Sequence, residues 1–413
     1  MVPGQQVPLR LLSRRMCVGG LLSLMTACSG IPNSSSVLDS FSRNPPPAGA
    51  PEPAPVAAAP IGAGAVRVGL ILPLSAGGNA GTVALSMKNA AEMALAEFSS
   101  PNVQLLVKDD AGTSGGAQQA VQQALAEGAE IIVGPLFAHA VGVVGAAARQ
   151  RGVPVIAFST DASVAARGVY LLSFLPESDV DRIVDYAMAN GKRSFAALLS
   201  EGAYGNVVEA EFKQVVARKG GRIVALERYG FGSGAVVGPA RLVAQAARSA
   251  DAIFIPEGPE VVPTVVQALL AANQDGRQLV DTRRVQLLGT GLWDDPRIFN
   301  DTRLHGGWYA APDSAGFRNF SARYRQRYSQ DPVRTATLAY DAVALIAALV
   351  KTQGAQRFSE QVLTNASGFA GIDGLFRFRT DGTNERGLSV MQVGPTGGQV
   401  IGPPPRAFGS SGY

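Results

Sequence analysis

Cysteine is almost missing from this chain: of 413 residues, two are Cys, at positions 17 and 28. Everything after Cys28 lacks a thiol, which excludes a disulfide framework and a Cys-based metal site, so the core must be large enough to hold without cross-links. Histidine is as scarce, with His139 and His305 alone. A Ser-His-Asp triad or a metal centre needs a histidine with oriented partners, and a lone His after a strand reads more simply as a partly exposed helix start. The Gly-rich run Gly112-Thr113-Ser114-Gly115-Gly116 is not followed by Gly-Lys-Ser/Thr. No Gly-x-Gly-x-x-Gly follows the first strand either, so a phosphate cradle is excluded. No Lys/Arg run exceeds two residues, and no basic stripe is interleaved with aromatics, which leaves no footprint for nucleic acid. The acidic pair Asp109 and Asp110 points to opposite faces of a strand, a poor geometry for general acid/base work. Capping or a salt bridge is the expected role of that pair. Neither an enzyme nor a cofactor is expected.

What is present begins with a targeting pattern. Arg10, Arg14 and Arg15 form a basic n-region without an acid, and Cys17 to Met25 form an apolar stretch too short to span a bilayer. Met25-Thr26-Ala27-Cys28 resembles a bacterial lipobox, which implies cleavage after residue 27 and acylation of Cys28. The formal charge of +4 falls to about +1 once the three Arg of residues 1–27 are removed. Residues 28–64 are rich in Pro, Ala, Ser and Gly, with Asn44-Pro45-Pro46-Pro47 and Pro51-Glu52-Pro53-Ala54-Pro55 marking an extended tether that builds no core. About 350 residues remain from Ala65, enough for two lobes.

Those residues alternate. Val66 to Leu72 reads as a buried strand ended by Pro73, and Val83, Met87, Ala90, Ala94 and Phe98 keep helical spacing after it. Strands at 103–108, 130–133 and 154–158 alternate with helices at 115–127 and 137–149. Beyond a crossing segment at 173–176 the pattern restarts. Helices at 177–190, 205–219, 237–249 and 260–273 alternate with strands at 194–199, 222–228, 251–255 and 285–288. Long helices at 315–329 and 335–352 follow, then strands at 375–379 and 388–393 around an Asp381-Gly382 turn. The expected fold class is α/β: two doubly wound parallel-sheet lobes around a cleft, with a hinge of several segments. Lobe one takes residues 65–174 plus 310–366 and lobe two 175–309 plus 367–395, leaving 396–413 as a tail.

Five landmarks carry a resemblance. Val68-Gly69-Leu70-Ile71-Leu72-Pro73-Leu74-Ser75, Lys108-Asp109-Asp110, Ile131-Ile132-Val133-Gly134-Pro135-Leu136, Val153-Pro154-Val155-Ile156-Ala157-Phe158-Ser159 and Tyr204-Gly205 occur in the order and spacing of one family. The chain resembles the type 1 periplasmic binding proteins, in the branch that binds leucine and related amino acids for ABC transporters, over about residues 65 to 395. The resemblance implies an exported protein, lipid-anchored in the cell envelope, that captures a small amino-acid-like solute between two lobes for an ABC permease. The same fold on a lipoprotein also resembles activators of penicillin-binding proteins, which act by contacting a peptidoglycan synthase. The amino-acid constellation is altered: Ala138 stands where a Ser hydroxyl is usual, Asp161 stands near an expected Thr, and no Glu follows Gly289-Thr290-Gly291.

The candidate ligand contacts lie past strand ends. In lobe one they are Ser75, Phe137, Ala138, Ser159, Thr160 and Asp161, where hydroxyls and helix-start N–H groups can hold a polar ligand; helix capping is their plainer role. In lobe two they are Tyr204, Glu257, Trp293 and Asp294, an aromatic wall with an acid, against a plainer role in hinge packing and turns. An anion placed beside Asp161 would be repelled.

Overall fold

The computed structural model describes residues 59–408, apart from 231, 233, 272–279 and 283. The targeting segment, Cys28 and most of the tether lie outside the described residues.

The first sheet forms from β1 (Val66–Leu72), β2 (Val103–Asp109), β3 (Ile131–Val133), β4 (Val155–Ala157) and β5 (Val169–Leu171), all parallel, in the order β2-β1-β3-β4-β5. Strand alternation sends Val68, Leu70 and Leu72 to one face and Ile71 to the other, so each face carries its own core. The first face is covered by α1 (Asn79–Glu97) and, from much later in the chain, α10 (Ala336–Thr352). The second is covered by α2 (Ser114–Ala126) and α3 (Ala138–Gln150). Gly69 leaves room on the second face for Ile132 Cδ1 and Ala124 Cβ, which a Cβ there would meet at 2.7 and 3.0 Å.

The second sheet repeats the plan. Strands β6 (Ser194–Ser200), β7 (Arg222–Tyr229), β8 (Ala252–Phe254), β9 (Gln286–Gly289) and β10 (Trp308–Ala311) run parallel in the order β7-β6-β8-β9-β10. Helices α4 (Pro176–Ala189) and α5 (Ala203–Arg218) cover the face carrying Phe195, Ala197 and Leu199. Helices α6 (Val237–Ala246) and α7 (Val262–Leu269) cover the face carrying Ala196 and Leu198. In each sheet the order reverses beside the first strand, β1 or β6, and such a switch point opens a crevice at the carboxyl ends.

A short helix α8 (Pro296–Phe299) precedes β10, and α9 (Ser314–Tyr328) follows it. After α10 come α11 (Glu360–Leu363) and a small antiparallel sheet, β11 (Phe369–Gly371), β12 (Gly374–Phe378) and β13 (Asn384–Arg386). Phe376 and Phe378 from this sheet pack into the core of the first. The chain then joins the second sheet through β14 (Ser389–Gly394), antiparallel to β10, and β15 (Gly397–Gly402) on its edge.

The structure differs from the sequence expectation in several places, among them β10, which was not expected as a strand. Strand β5 lies outside the sequence expectation, which places only a crossing segment at 173–176 there. Residues 369–386 pack with the first core, so the last crossing falls near Leu388 rather than at 367. Residues 397–402 form an edge strand rather than tail. The Asp381-Gly382 turn is present, with Gly382 at φ +89°, but it joins β12 to β13, not to β14. The end of the helix expected at 260–273 lies outside the described residues.

Candidate functional site

The carboxyl ends of the first sheet are shaped by side chains that bond their own turns. Asp109 Oδ1 accepts from Ala111 N at 2.8 Å and from Ser75 N at 3.2 Å, which joins the loops after β1 and β2. Asp110 Oδ1 accepts from Gly112 N at 2.9 Å. Burial pushes the Asp110 carboxyl up to about 7, the Gly112 bond works against the shift, and Asp109 adds to it. This pair therefore bonds the turn that follows β2, while Thr113 caps the next helix. Ser75 keeps its buried hydroxyl without a protein partner among the described residues. Such a group is costly to leave unmade, so it is a natural contact for a polar guest.

Phe137 and Ala138 sit half-buried at the start of α3, where the first N–H groups have no intrahelical acceptor. The Phe137 ring stacks on His139 at 5.6 Å, and His139 Nε2 lies 3.1 Å from Gly112 O. After β4, Ser159 is buried and its Oγ accepts from Asp161 N at 3.1 Å, while Thr160 is half-buried. Asp161 is exposed and caps the next turn, accepting from Ser163 N at 2.9 Å and Ser163 Oγ at 2.6 Å.

In the second lobe, Tyr204 lies in the first turn of α5 with its hydroxyl 3.1 Å from Thr290 Oγ1. Glu257 is buried and accepts from Ser200 N at 2.7 Å, tying the ends of β8 and β6. Trp293 is fully buried in the core: its indole donates to Ile255 O at 3.1 Å and fills the space over Gly289 and Gly307. Its packing accounts for the side chain without a guest. Asp294 keeps solvent contact although the surrounding protein desolvates it, as a carboxylate in a recess does. Desolvation raises its pKa, while the Tyr309 hydroxyl, which donates to it at 3.1 Å, and the charges of Arg334 and Arg318 pull it down.

The structure brings further groups to this region that sequence reasoning did not find. Helix α4 opens with Glu177 and Asp179, which faces Gly291 N at 2.9 Å. Burial pushes Asp179 up to about 7, opposed by the Gly291 N–H and by Arg386, and reinforced by Glu177. Glu177 is also raised, first by desolvation, and Asp161 of the other lobe adds to the shift. Arg334 sits before α10, with Asp373 and Arg386 on either side of β12. Glu177 and Asp179 fall at the start of the helix expected at 177–190, where acids are ordinary, so they carry no distinct signal. Arg334, Asp373 and Arg386 gave none, because they lie far apart in the chain and meet only in the fold.

Among the described residues, no group of three or more His, Cys, Asp or Glu is disposed to hold a metal ion. None of the described helices is long and apolar enough to cross a membrane. A shallow depression of about 660 Å³ opens beside Leu349, Gln353 and Phe369, behind the first sheet and away from the carboxyl-end loops. None of the groups above lines it.

Comparison with known proteins gives a family and a set of folds. The family described as periplasmic binding protein matches residues 65–399. A search of curated proteins found no match. Among solved structures, a putative branched-chain amino acid ABC transporter from Rhodospirillum rubrum is 18% identical with a TM-score of 0.70, covering 82% of this chain and 100% of its own. An ABC transporter substrate-binding protein from Desulfitobacterium hafniense, in complex with Leu, is 16% identical with a TM-score of 0.58, covering 81% and 99%. A solute-binding protein from R. palustris, in complex with benzoate, is 17% identical with a TM-score of 0.55, covering 84% and 98%. At these identities the likeness is one of fold.

Proposed function

Because the chain belongs to the periplasmic binding protein family over residues 65–399, we propose that it captures a small organic solute between its two lobes and presents it to an ABC permease. The observation that carries this reading is the repeated strand order of the two sheets, each with its switch point and its layer of carboxyl-end loops. A guest touching both sets of loops favours the closed form by its differential affinity. In the first lobe the Ser75 hydroxyl, the free N–H groups at the start of α3 and the loop at Ser159 and Thr160 are the proposed anchors. The α3 N–H groups suit a carboxylate and the hydroxyls another polar group, since an anion beside Asp161 would be repelled. In the second lobe Tyr204 and Asp294 are the proposed partners for the rest of the guest. The fold neighbours named above hold leucine and benzoate, which share a carboxylate and an apolar body. The proposed guest is of that class.

A thermal-shift screen with branched-chain amino acids, benzoates, peptides and cell-wall fragments tests the reading. A true solute at 100 times its Kd is expected to stabilise the fold by about 2.7 kcal/mol. Silence across the panel, with co-purification of a peptidoglycan synthase, would instead favour a regulator that activates a penicillin-binding protein.

The proposed route to the envelope is export followed by acylation of Cys28, with residues 29–64 as tether. Cys28→Ala is expected to move the protein from the membrane fraction to the soluble fraction and to abolish labelling by a fatty-acid probe. Retention of both in the variant removes the anchor from the proposal.

A further inference from the structure

The crossings between the lobes meet around one aromatic ring. Phe174, in the first crossing, lies between two guanidinium groups, with Arg334 Cζ 4.7 Å and Arg386 Cζ 4.6 Å from its centroid. Phe317, in the first turns of α9 after the second crossing, lies 4.6 Å from the same Arg334 carbon. Stacking of this kind favours Arg over Lys.

The two arginines differ in how far they are satisfied. Arg334 makes two bonds to Asp373, at 2.9 and 2.7 Å. Arg386 donates from Nε to Ser173 O at 2.8 Å, but its buried Nη1 and Nη2 find no acceptor among the described residues. Leaving two donors of a buried cation idle is unfavourable, and a second conformation that supplies an acceptor gains by that amount. Burial lowers the Arg386 pKa; Asp373, Asp341 and Asp179 act on it favourably and Arg334 opposes them. Asp373 is committed to Arg334. Asp341 Oδ1 accepts from Ile372 N at 2.8 Å, and its helix, α10, packs on the first core together with the β12 strand that pairs with β13. Asp179 differs, because it stands on α4 of the second lobe and is tied to Gly291 of that lobe. It alone of the three changes position relative to Arg386 when the lobes turn.

We propose that Arg386 is a positioning residue for lobe closure: as the lobes turn about the hinge, its terminal guanidinium nitrogens take the Asp179 carboxylate, and this pair holds the closed form. The inference rests on the reading that the lobes close, but its test adds no solute, so the two can fail separately.

The charge on Asp179 must be present for the pair to form. Its carboxyl, pushed up to about 7, is ionised above that pH and protonated below it. Its charged neighbours are Glu177 and Arg386. The closed population is therefore expected to fall as pH drops from about 8.5 to 5.5. Asp341 is also pushed to about 7, by burial first and then by Asp373, so Asp341→Asn serves as the control.

The experiment is single-molecule energy transfer in the full chain. Cys17 and Cys28 are replaced by Ser, and dyes are placed at the exposed positions Gln123→Cys in α2 and Gln214→Cys in α5. At high pH two populations are expected. Asp179→Asn, which can still accept from Gly291, and Arg386→Met are each expected to cut the closer one at least fivefold. The double variant is expected to lose no more, and Arg386→Lys to fall between. The pH response should vanish in Asp179→Asn and persist in Asp341→Asn. A single population in the parent, additive losses, or a pH response that survives Asp179→Asn overturns the proposal. Should Arg386→Met fail to fold, Asp179→Asn and its pH profile decide. A positive thermal-shift hit with a negative hinge result removes this inference and leaves solute capture standing.

Discussion

Replacing Asp373 by Ala is expected to destabilise the fold by about 3–5 kcal/mol at neutral pH. The Asp373 side chain is fully buried and accepts three hydrogen bonds, two from Arg334 and one from the Thr337 hydroxyl at 2.6 Å. Removing it leaves the half-buried Arg334 guanidinium without its two-bond partner and the buried Arg386 without its neighbouring charge, which costs more than the pair itself contributes. Burial alone would raise the Asp373 pKa; the charge and bonds of Arg334, with help from Arg386 and Thr337, outweigh it and hold the carboxyl below its ordinary value. The sign of the pH dependence follows. A carboxyl whose pKa is lower in the folded state contributes stability above its unfolded pKa, near 4, and loses it as the pH falls through the folded value. The gap between parent and variant should be widest at neutral pH and shrink in acid. Calorimetric melts at pH 7 and pH 3.5 measure it. A loss under about 1 kcal/mol at neutral pH would show that the pair adds little. Replacing Arg334 and Asp373 together by leucine should cost less than Asp373→Ala alone, since Arg334 is no longer left without its partner, although Arg386 still loses the charge of Asp373.

Trp293→Ala is expected to cost a similar amount, about 3–5 kcal/mol, for a different reason. The indole is fully buried and closes the space over two glycines, where a Cβ on Gly289 would come within 2.2 Å of it and one on Gly307 within 2.8 Å. Neither strand end can move in to fill the hole, because β9 is held between β8 and β10. Trp293→Phe should recover part of the loss but leave the Ile255 carbonyl without the indole donor. Unfolding in guanidinium measures both. This variant also separates packing from recognition. If Trp293→Ala melts like the parent yet loses solute binding, Trp293 belongs to the guest's wall and not to the core.

The alternation of strands and helices was legible because it rests on local physics. The run Val66 to Leu72 has no other stable home than a buried strand, and the helices that follow keep apolar residues at helical spacing. Strand β5 escaped notice because Val169-Tyr170-Leu171 is three residues long and sits between Gly168 and a segment already expected to be extended. Strand β15 escaped because Gly397-Gly398-Gln399 carries no alternation; Gly398 is there so that the Tyr309 hydroxyl can approach its backbone, which a Cβ would block at 1.9 Å. At the Asp381-Gly382 turn the turn itself could be read, since Gly tolerates the positive φ. Its partner strand could not, because three polar-edged residues, Asn384 to Arg386, are recruited only by the sheet already waiting for them.

The candidate site divides in the same way. Ser75, Ala138, Ser159 and Asp161 lie after strand ends, so alternation alone placed them in one layer of loops. Asp179, Arg334, Asp373 and Arg386 are scattered over more than 200 positions, and nothing local marks them as neighbours. By itself the sequence determined the βα repeat and the layer that bears the loops. These follow from short-range periodicity and from residue types. Only the tertiary structure decided that Trp293 is core, that residues 369–386 belong with the first sheet, and that the crossings converge on Phe174. Those outcomes depend on which distant segments meet, and burial and charge take their values only after that meeting.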